Sequence, residues 1–328
     1  MEEPDLIVFG EVALDIILAG VDQVPRRWSI LGTATAARAV AAGSAGYVAQ
    51  CYSKLGGHST VLGKIGSDDV GQLVLDGFRR CGVYTEDLAI GREAKTEIST
   101  VILYRDGNKS SVVSGILPLR QDDFARKNIT NGRAFHFAGY LLYPNLWGKP
   151  AISLFKTAKK AGLLVSADPQ MSATGAWKKP FEGVIQHLDI LLLDEEEAKK
   201  ISQRKRVPDA VEGILNEGTR IVAVKSGARG CIVGYEDRIR SVKPYNVRPV
   251  STIGAGDAFD AAFIYGSLQD WDIEKTARFA NFVAAISTTQ YGCMNAIPKA
   301  RIAEKLSQAF YSRNRKQSVD SASGWQGR

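Results

Sequence analysis

Short apolar runs alternate with amphipathic stretches along most of this chain. Five runs are apolar enough to be buried strands, at residues 6–10, 134–139, 163–167, 190–193 and 220–225. Helical spacing of apolar residues follows, for example over 149–161, 181–187 and 207–217. Repeated strand–helix units predict an α/β fold, in which a doubly wound, mostly parallel sheet is flanked by helices.

The pattern changes between residues 98 and 113, where side chains alternate on either side of an Asp106-Gly107 turn. Such alternation predicts a β-hairpin. Together with strand-like residues between 16 and 35, the hairpin predicts a small sheet that stands off the main body. Residues 34–49 are rich in Ala and Gly and predict a loop that turns into a helix.

We therefore assign residues 1–312 to one domain, with the small sheet formed by segments at about 12–36 and 95–116. Residues 313–328 are basic and poor in apolar side chains, so we expect this tail to be disordered.

Composition narrows the classes of function. The chain has 328 residues, a net charge of +7 and four cysteines that form no CxxC pair. Its acidic N-terminus does not resemble a signal peptide, and no run is apolar enough to cross a membrane, so we expect a cytoplasmic protein without a membrane partner. Basic residues are dispersed and lack a binding motif, which argues against nucleic acid and favours anionic substrates.

The clearest candidate for chemistry is the stretch from residue 251 to 259. Residues upstream are extended and residues downstream are helical, so Gly254-Ala255-Gly256 is the turn into a helix. The open amides at such a turn bind anions, and Asp257 in the first helical turn can accept a proton. This pairing suits phosphoryl transfer. An ordinary capped helix with small residues for packing is the alternative.

Polar residues also follow several predicted strands, where α/β folds bind ligands. Asp15, Asp168, Asp194 and the Ser226-Gly227 pair all fall at carboxyl ends of strands, on the same edge as the Asp257 turn. Taken singly, each is equally compatible with a loop residue or a helix cap.

In this arrangement the chain resembles the ribokinase (PfkB) family of carbohydrate kinases over about residues 5–310. The segment 251–263 is similar to the family's second signature, and the blocks 55–71, 95–107, 194–197, 225–227 and 280–281 are similar as well. Membership would imply a ribokinase-like fold whose small sheet closes as a lid over the sugar.

The resemblance implies a role for each site residue. Asp257 is the expected catalytic base, and Gly254, Ala255 and Gly256 form the expected anion hole. Glu197 is expected to organise Mg²⁺. The substrate-binding positions are expected to be Asp15, Gly43, Tyr47, Tyr104 and Asp168. The ATP-binding positions are expected to be Asp194, Lys225, Ser226, Gly227, Gly230, Thr252 and Asn281.

The chain departs from the family pattern at several of these places. Tyr47 and Asp194 stand where the family has Asn, and Ser251 replaces an Asp that the family links to a monovalent cation, which leaves potassium activation open. Asp260 replaces a small residue. These departures caution against transferring a substrate from the family.

The resulting hypothesis is an ATP-dependent sugar kinase that works with Mg²⁺ and forms a homodimer through its lid. The sequence Asp168-Pro169-Gln170-Met171 resembles a turn of kinases for ketoses and sugar acids, which indicates a hexose, ketose or sugar acid as acceptor. The alternatives are a nucleoside kinase of the same fold and a non-catalytic relative that binds sugar or nucleotide.

Overall fold

The computed structural model describes residues 3–24, 31–106 and 108–308. The strands are β1 (Leu6–Gly10), β2 (Ala13–Val21), β3 (Ala36–Ala42), β4 (Ser59–Leu62), β5 (Lys64–Gly66), β6 (Val83–Tyr84), β7 (Ala89–Gly91), β8 (Ile98–Tyr104), β9 (Lys109–Val113), β10 (Ala134–Ala138), β11 (Leu164–Asp168), β12 (Ile190–Asp194), β13 (Ile221–Lys225), β14 (Cys231–Tyr235) and β15 (Arg238–Val242). The helices include α1 (Ser44–Leu55), α2 (Asp69–Arg80), α3 (Arg126–Thr130), α4 (Lys149–Lys160), α5 (Glu195–Ser202), α6 (Val207–Leu215), α7 (Ala255–Leu268) and α8 (Ile273–Ser287). Residues 300–308 are helical as well.

Nine strands form the main sheet, in the order β15-β14-β13-β12-β11-β10-β1-β4-β6. The pairs from β13 to β6 are parallel, whereas β14 and β15 run antiparallel at one edge. The carboxyl ends of β1, β11, β12 and β13 therefore lie along one edge. This architecture confirms the predicted α/β fold with a mostly parallel sheet.

Helices cover both faces of this sheet, because alternate residues of each strand point to opposite sides. Leu6 and Val8 pack in a core with α1, α7 and α8, whereas Ile7 and Phe9 pack in a second core with α4, α5 and α6. Central strands buried on both faces read as continuous apolar runs, which is why the sequence indicated them clearly.

The small sheet has the strand order β3-β2-β8-β9, and we call it the lid sheet. The predicted hairpin is confirmed as the antiparallel pair β8–β9. The prediction of a loop at the start of residues 34–49 was wrong, because residues 36–42 form β3. Alanine has a weak preference for strands, but β3 pairs with β2 from Ala13↔Ala42 to Ala19↔Ala36, and this pairing decides the local structure.

The predicted helix at residues 181–187 was also wrong. Two single-turn 3₁₀ helices occur there, Lys179–Phe181 and Ile185–His187. Gly183 lies between them with a φ of 72°, a left-handed conformation that a continuing helix cannot contain. The prediction for the tail at 313–328 lies outside the described residues. Among the residues that are described, no helix is long and apolar enough to cross a membrane.

Candidate active site

The turn into α7 presents open backbone donors. Helix α7 begins at Ala255 after Gly254, whose φ of 72° favours glycine, and no side chain caps the helix. The Ala255 amide donates to the Thr252 carbonyl at 3.3 Å. The amides of Gly256 and Asp257 have no acceptor among the described residues. Two amides at a helix N-terminus are thus available to an anion.

Asp257 lies where two helix N-termini meet. Its Oδ1 accepts a hydrogen bond from Ser44 Oγ, the first residue of α1, at 2.9 Å. Burial and the nearby Asp168 carboxylate raise the pKa of Asp257 to about 7, against a lowering by Lys225. A carboxyl group with a pKa near neutrality can both accept and release a proton under ordinary conditions, as a general base requires.

Asp15 and Tyr47 form a buried pair where the lid sheet joins the main sheet. Tyr47 Oη donates to Asp15 Oδ2 at 2.5 Å, so the phenol that replaces the family's Asn binds the carboxylate directly. Burial raises the pKa of Asp15 to about 6, although the Tyr47 hydrogen bond lowers it. Gly43 adjoins them, and a Cβ there would lie 2.4 Å from the Glu11 carbonyl oxygen, so only glycine fits.

Two further carboxyl groups, which sequence reasoning did not assign, complete a sugar-side cluster of Glu11, Asp15 and Glu97. Glu11 Oε2 accepts from the Ser44 amide at 3.1 Å and from Gln170 Nε2 at 3.5 Å. Glu97 is 1% exposed and its Oε1 has no partner. Burial and the neighbouring carboxyl groups of Glu11 and Asp15 raise its pKa to about 9, so Glu97 keeps its proton at neutral pH.

A lysine cluster lies on the other side of Asp257. Lys225 Nζ, at the end of β13, donates to Asp168 Oδ2 at 2.7 Å and to the two oxygens of Asp260 at 3.0 and 3.1 Å. Asp168, expected at the sugar, is therefore paired with the expected ATP-site lysine. Asp260 is 1% exposed, so its carboxylate depends on this lysine for compensation.

An open pocket of about 320 Å³ extends from the lysine cluster along α7 and α8. Among its lining residues are five of the expected ATP-binding positions, Lys225, Gly227, Gly230, Thr252 and Asn281. Asn281 Nδ2 donates to the carbonyls of Val242 and Lys243, at 3.2 and 3.1 Å. This side chain therefore holds the end of β15 against α8 and shapes the pocket wall.

Comparison with known proteins now decides the family. Residues 3–300 match the pfkB family of carbohydrate kinases. The chain belongs to that family. This carbohydrate kinase is 27% identical to probable fructokinase-5 of Arabidopsis thaliana over 323 residues, or 92% of this chain and 97% of the relative.

Two further comparisons extend the likeness. An uncharacterized sugar kinase of Archaeoglobus fulgidus is 32% identical over 251 residues, or 76% of this chain and 98% of the relative. The structure of an Arabidopsis thaliana ribokinase complexed with ribose and ATP superimposes with a TM-score of 0.79 at 24% identity, covering 93% of this chain and 99% of that one. The ribokinase-like fold follows from this structural match.

In this carbohydrate kinase, Asp194 and Glu197 form a capping box at the start of α5. The Glu197 amide donates to Asp194 Oδ1 at 2.7 Å, and the Asp194 amide donates to Glu197 Oε2 at 2.6 Å. No group of three or more metal-ligating side chains occurs in residues 3–24, 31–106 and 108–308. This donor set suits Mg²⁺, which keeps most of its waters and binds through one or two carboxylates plus phosphates.

Three expected or substituted positions lie outside these clusters. Tyr104 pairs with Val21 at the far end of the lid sheet, roughly 20 Å along β2 from Asp15, and its hydroxyl meets Ser110 at 3.2 Å. Ser226 is next to the pocket, and its amide donates to the Gly230 carbonyl at 2.8 Å. Ser251 Oγ accepts from the Ile253 amide at 3.3 Å and so stabilises the turn before the anion-binding amides.

Proposed function

We propose that this carbohydrate kinase transfers the γ-phosphate of ATP to a hydroxyl group of a small, uncharged sugar, with Asp257 as the base. The observation that carries the proposal is the position of Asp257. Its carboxyl group lies beside the open amides of Gly256 and Asp257, between the sugar-side cluster and the pocket lined by Lys225 and Asn281.

The chemistry at the turn before α7 follows from Asp257 and the open amides. A sugar hydroxyl beside Asp257 loses its proton to the carboxylate as its oxygen attacks phosphorus. The Ser44 hydroxyl holds Asp257 Oδ1 at 2.9 Å and orients it for this step. The Gly256 and Asp257 amides stabilise charge on the phosphoryl oxygens, with no reorganisation at the moment of transfer.

Sugar hydroxyl groups need acceptors, and the sugar-side cluster supplies them. Asp15 accepts from Tyr47 at 2.5 Å and also has a side-chain hydrogen bond with Ser99, but the two oxygens of a carboxylate accept about four hydrogen bonds, which leaves capacity for a sugar hydroxyl. Tyr47 thus acts by orienting Asp15. Gly43 keeps the start of α1 close to Glu11, so that the sugar can lie near the helix N-terminus.

The charge of the cluster bears on the substrate. Glu11 lies close enough to raise the pKa of Asp15 and that of Glu97, and no Lys or Arg among the described residues pairs with any of the three. A sugar carboxylate placed there would add another negative charge to a desolvated site. Of the acceptors that the sequence suggested, a neutral hexose or ketose therefore fits better than a sugar acid.

The ATP phosphates would lie between Lys225 and the start of α7, with the base in the pocket beside Asn281. Mg²⁺, when bound, shields the phosphate charge and polarises the transferring group. Asp194 and Glu197 are the residues that would hold it. Their carboxylates already organise the start of α5, so the chain presents them at a fixed position.

The lid sheet supports a homodimer. Its outer strand β9 is exposed along its whole length, and Val112 and Val113 are 69% and 41% exposed. An open edge with apolar side chains favours pairing with a second copy. We expect sedimentation to show a dimer that Val112→Lys converts to a monomer; a monomeric wild type would contradict the dimer without affecting the kinase assignment.

A substrate panel tests the function. Purified protein is incubated with ATP and Mg²⁺ and with ketohexoses, aldohexoses, pentoses, sugar acids, inositol and nucleosides, and ADP release is measured. We expect turnover with a neutral sugar. Preferred turnover of a nucleoside would instead indicate a nucleoside kinase. Thermal stabilisation by a ligand, without turnover of any polyol, would indicate a non-catalytic relative.

A further inference from the structure

The lysine cluster is more than an ion pair that links β13 to α7. Lys225 is 15% exposed, and the carboxylates of Asp168 and Asp260 are 7% and 1% exposed. Burial lowers the pKa of Lys225, but Asp168 and Asp260 outweigh it and keep the ammonium group charged. A charged group stays buried only when partners compensate it, and two carboxylates exceed what one lysine needs.

The ammonium group of Lys225 lies close to the turn before α7. A lysine has three N–H donors. Asp168 accepts one at 2.7 Å, and Asp260 accepts through both oxygens at 3.0 and 3.1 Å. Nζ also lies 3.6 Å from the position that a Cβ would take on Gly256. The ammonium group therefore lies against the turn before α7, in the pocket that Lys225 and Gly256 share, where a phosphoryl oxygen can take the place of one Asp260 oxygen as acceptor.

A transferring phosphoryl group has three equatorial oxygens to stabilise. The turn offers two open amides, those of Gly256 and Asp257. We propose that Lys225 is the third donor of this anion hole, and that Asp168 and Asp260 are positioning residues that hold its ammonium group towards the transferring phosphoryl group. This inference rests on the proposed function and adds a residue that contacts the reacting atoms.

The charge of the cluster determines which kinetic constant should change. One lysine and two carboxylates sum to −1, so the cluster as a whole does not attract ATP from a distance. The contribution of Lys225 is local, through one hydrogen bond that strengthens as negative charge develops on the phosphoryl oxygens. Its loss should lower kcat and leave the KM values for ATP and sugar nearly unchanged.

The test is Lys225→Met, with Lys159→Met as the matched control. Lys159 also pairs with a mostly buried aspartate, Asp189, at 3.0 Å, but at the opposite edge of the sheet. For Lys225→Met we expect kcat to fall about 100-fold with KM values within about threefold, which is the usual loss for one oxyanion donor. For Lys159→Met we expect unchanged kinetic constants and a lower melting temperature.

A binding readout separates this role from a structural one. Aluminium fluoride with ADP and sugar mimics the planar phosphoryl group, and melting temperature reports its binding. Adding aluminium fluoride to the complex with ADP and sugar should raise the melting temperature of wild type further. Lys225→Met should bind ADP normally but should not show this additional rise. Asp260→Asn should show a smaller loss of both kcat and the fluoride effect.

Two results would overturn the inference. One is a folded Lys225→Met protein that keeps wild-type kcat, and the other is an equal loss of ADP affinity and turnover. If Lys225→Met does not fold, the double variant Lys225→Met/Asp260→Asn, which keeps the net charge of the cluster at −1, is measured by the same criteria. Failure of the proposed function would look different, because wild type itself would then transfer no phosphate.

Discussion

On the transfer side of the site, which contains Lys225 and the turn before α7, Lys225 balances the buried carboxylates of Asp168 and Asp260. On the sugar side, burial and the neighbouring Glu11 raise the pKa of Glu97 to about 9, so Glu97 is protonated at neutral pH. Buried acids need compensation in both places. Under the proposed function, the fixed cation of Lys225 supplies it beside the phosphate, and the proton on Glu97 and the Tyr47 hydroxyl supply it beside the sugar. We therefore expect the ammonium group of Lys225 to contact an anion, and the carboxyl groups of the sugar side to accept hydrogen bonds from hydroxyl groups.

The largest expected effect comes from Asp257, which lies between the two regions. For Asp257→Asn we expect turnover to fall by roughly 10² to 10⁴, with sugar and ATP binding largely intact, because the base is lost and the shape is kept. Asp209→Asn is the control, because Asp209 lies on α6 with its side chain about half exposed. In wild type, kcat should rise with pH through about 7 as Asp257 loses its proton. Wild-type-like turnover of Asp257→Asn would refute its role.

The second prediction tests the charge of the sugar side directly. We expect kcat/KM for the best neutral sugar to exceed that for its corresponding sugar acid by roughly 100-fold, because the acid brings an uncompensated charge to Glu11, Asp15 and Glu97. Glu11→Gln should lower this ratio by raising kcat/KM for the sugar acid. Glu93→Gln, at an exposed position, should leave the ratio unchanged. A wild-type preference for the acid would show that the cluster is compensated by other means.

Some of this contrast could be predicted from sequence. The fold and the glycine turn at the start of α7 could be predicted, because apolar runs and a glycine turn before a helix are local patterns. The same turn made Asp257 a candidate for the catalytic base. Neither the Glu11–Glu97 pair nor the Lys225–Asp260 pair could be predicted, since their members are 86 and 35 residues apart and meet only after the strands align. A polar residue directly after β1 and a buried Asp in an apolar helix were the available signals.

Asp15 gives the third prediction. For Asp15→Ala we expect the KM for sugar to rise by roughly 10- to 100-fold, because a charged acceptor contributes about 1.5–3 kcal/mol to binding. The KM for ATP should remain within about twofold, since the lysine cluster and the pocket beside Asn281 are unchanged. If only the KM for ATP changed in Asp15→Ala, Asp15 would not be a sugar-binding residue.

Tyr47→Phe should have a smaller effect on the same site. The variant removes the hydroxyl that donates to Asp15 at 2.5 Å and keeps the ring. Because that hydrogen bond lowers the pKa of Asp15, its loss should raise the pKa above about 6 and leave more of the group protonated at pH 7. The KM for sugar should rise about 2- to 10-fold at pH 7 and recover at higher pH. A pH-independent defect would mean that Tyr47 contacts the sugar itself.

The smallest effect is on stability and comes from Glu97→Gln. Glu97 faces Glu11 and Asp15, and its pKa of about 9 lies above the value in an unfolded chain. As pH rises from about 5 to 9, the unfolded chain releases this proton while the folded state retains it, so the free energy of unfolding of wild type should fall. Glutamine has no proton to lose, so the melting temperature of Glu97→Gln should exceed that of wild type by a few degrees at pH 8 and match it near pH 4.5.

The control is Glu93→Gln, at an exposed position four residues earlier, whose melting temperature should follow that of wild type at every pH. Parallel curves for all three proteins would show that Glu97 is ionised in the folded state, and the sugar side would then need a cation of its own.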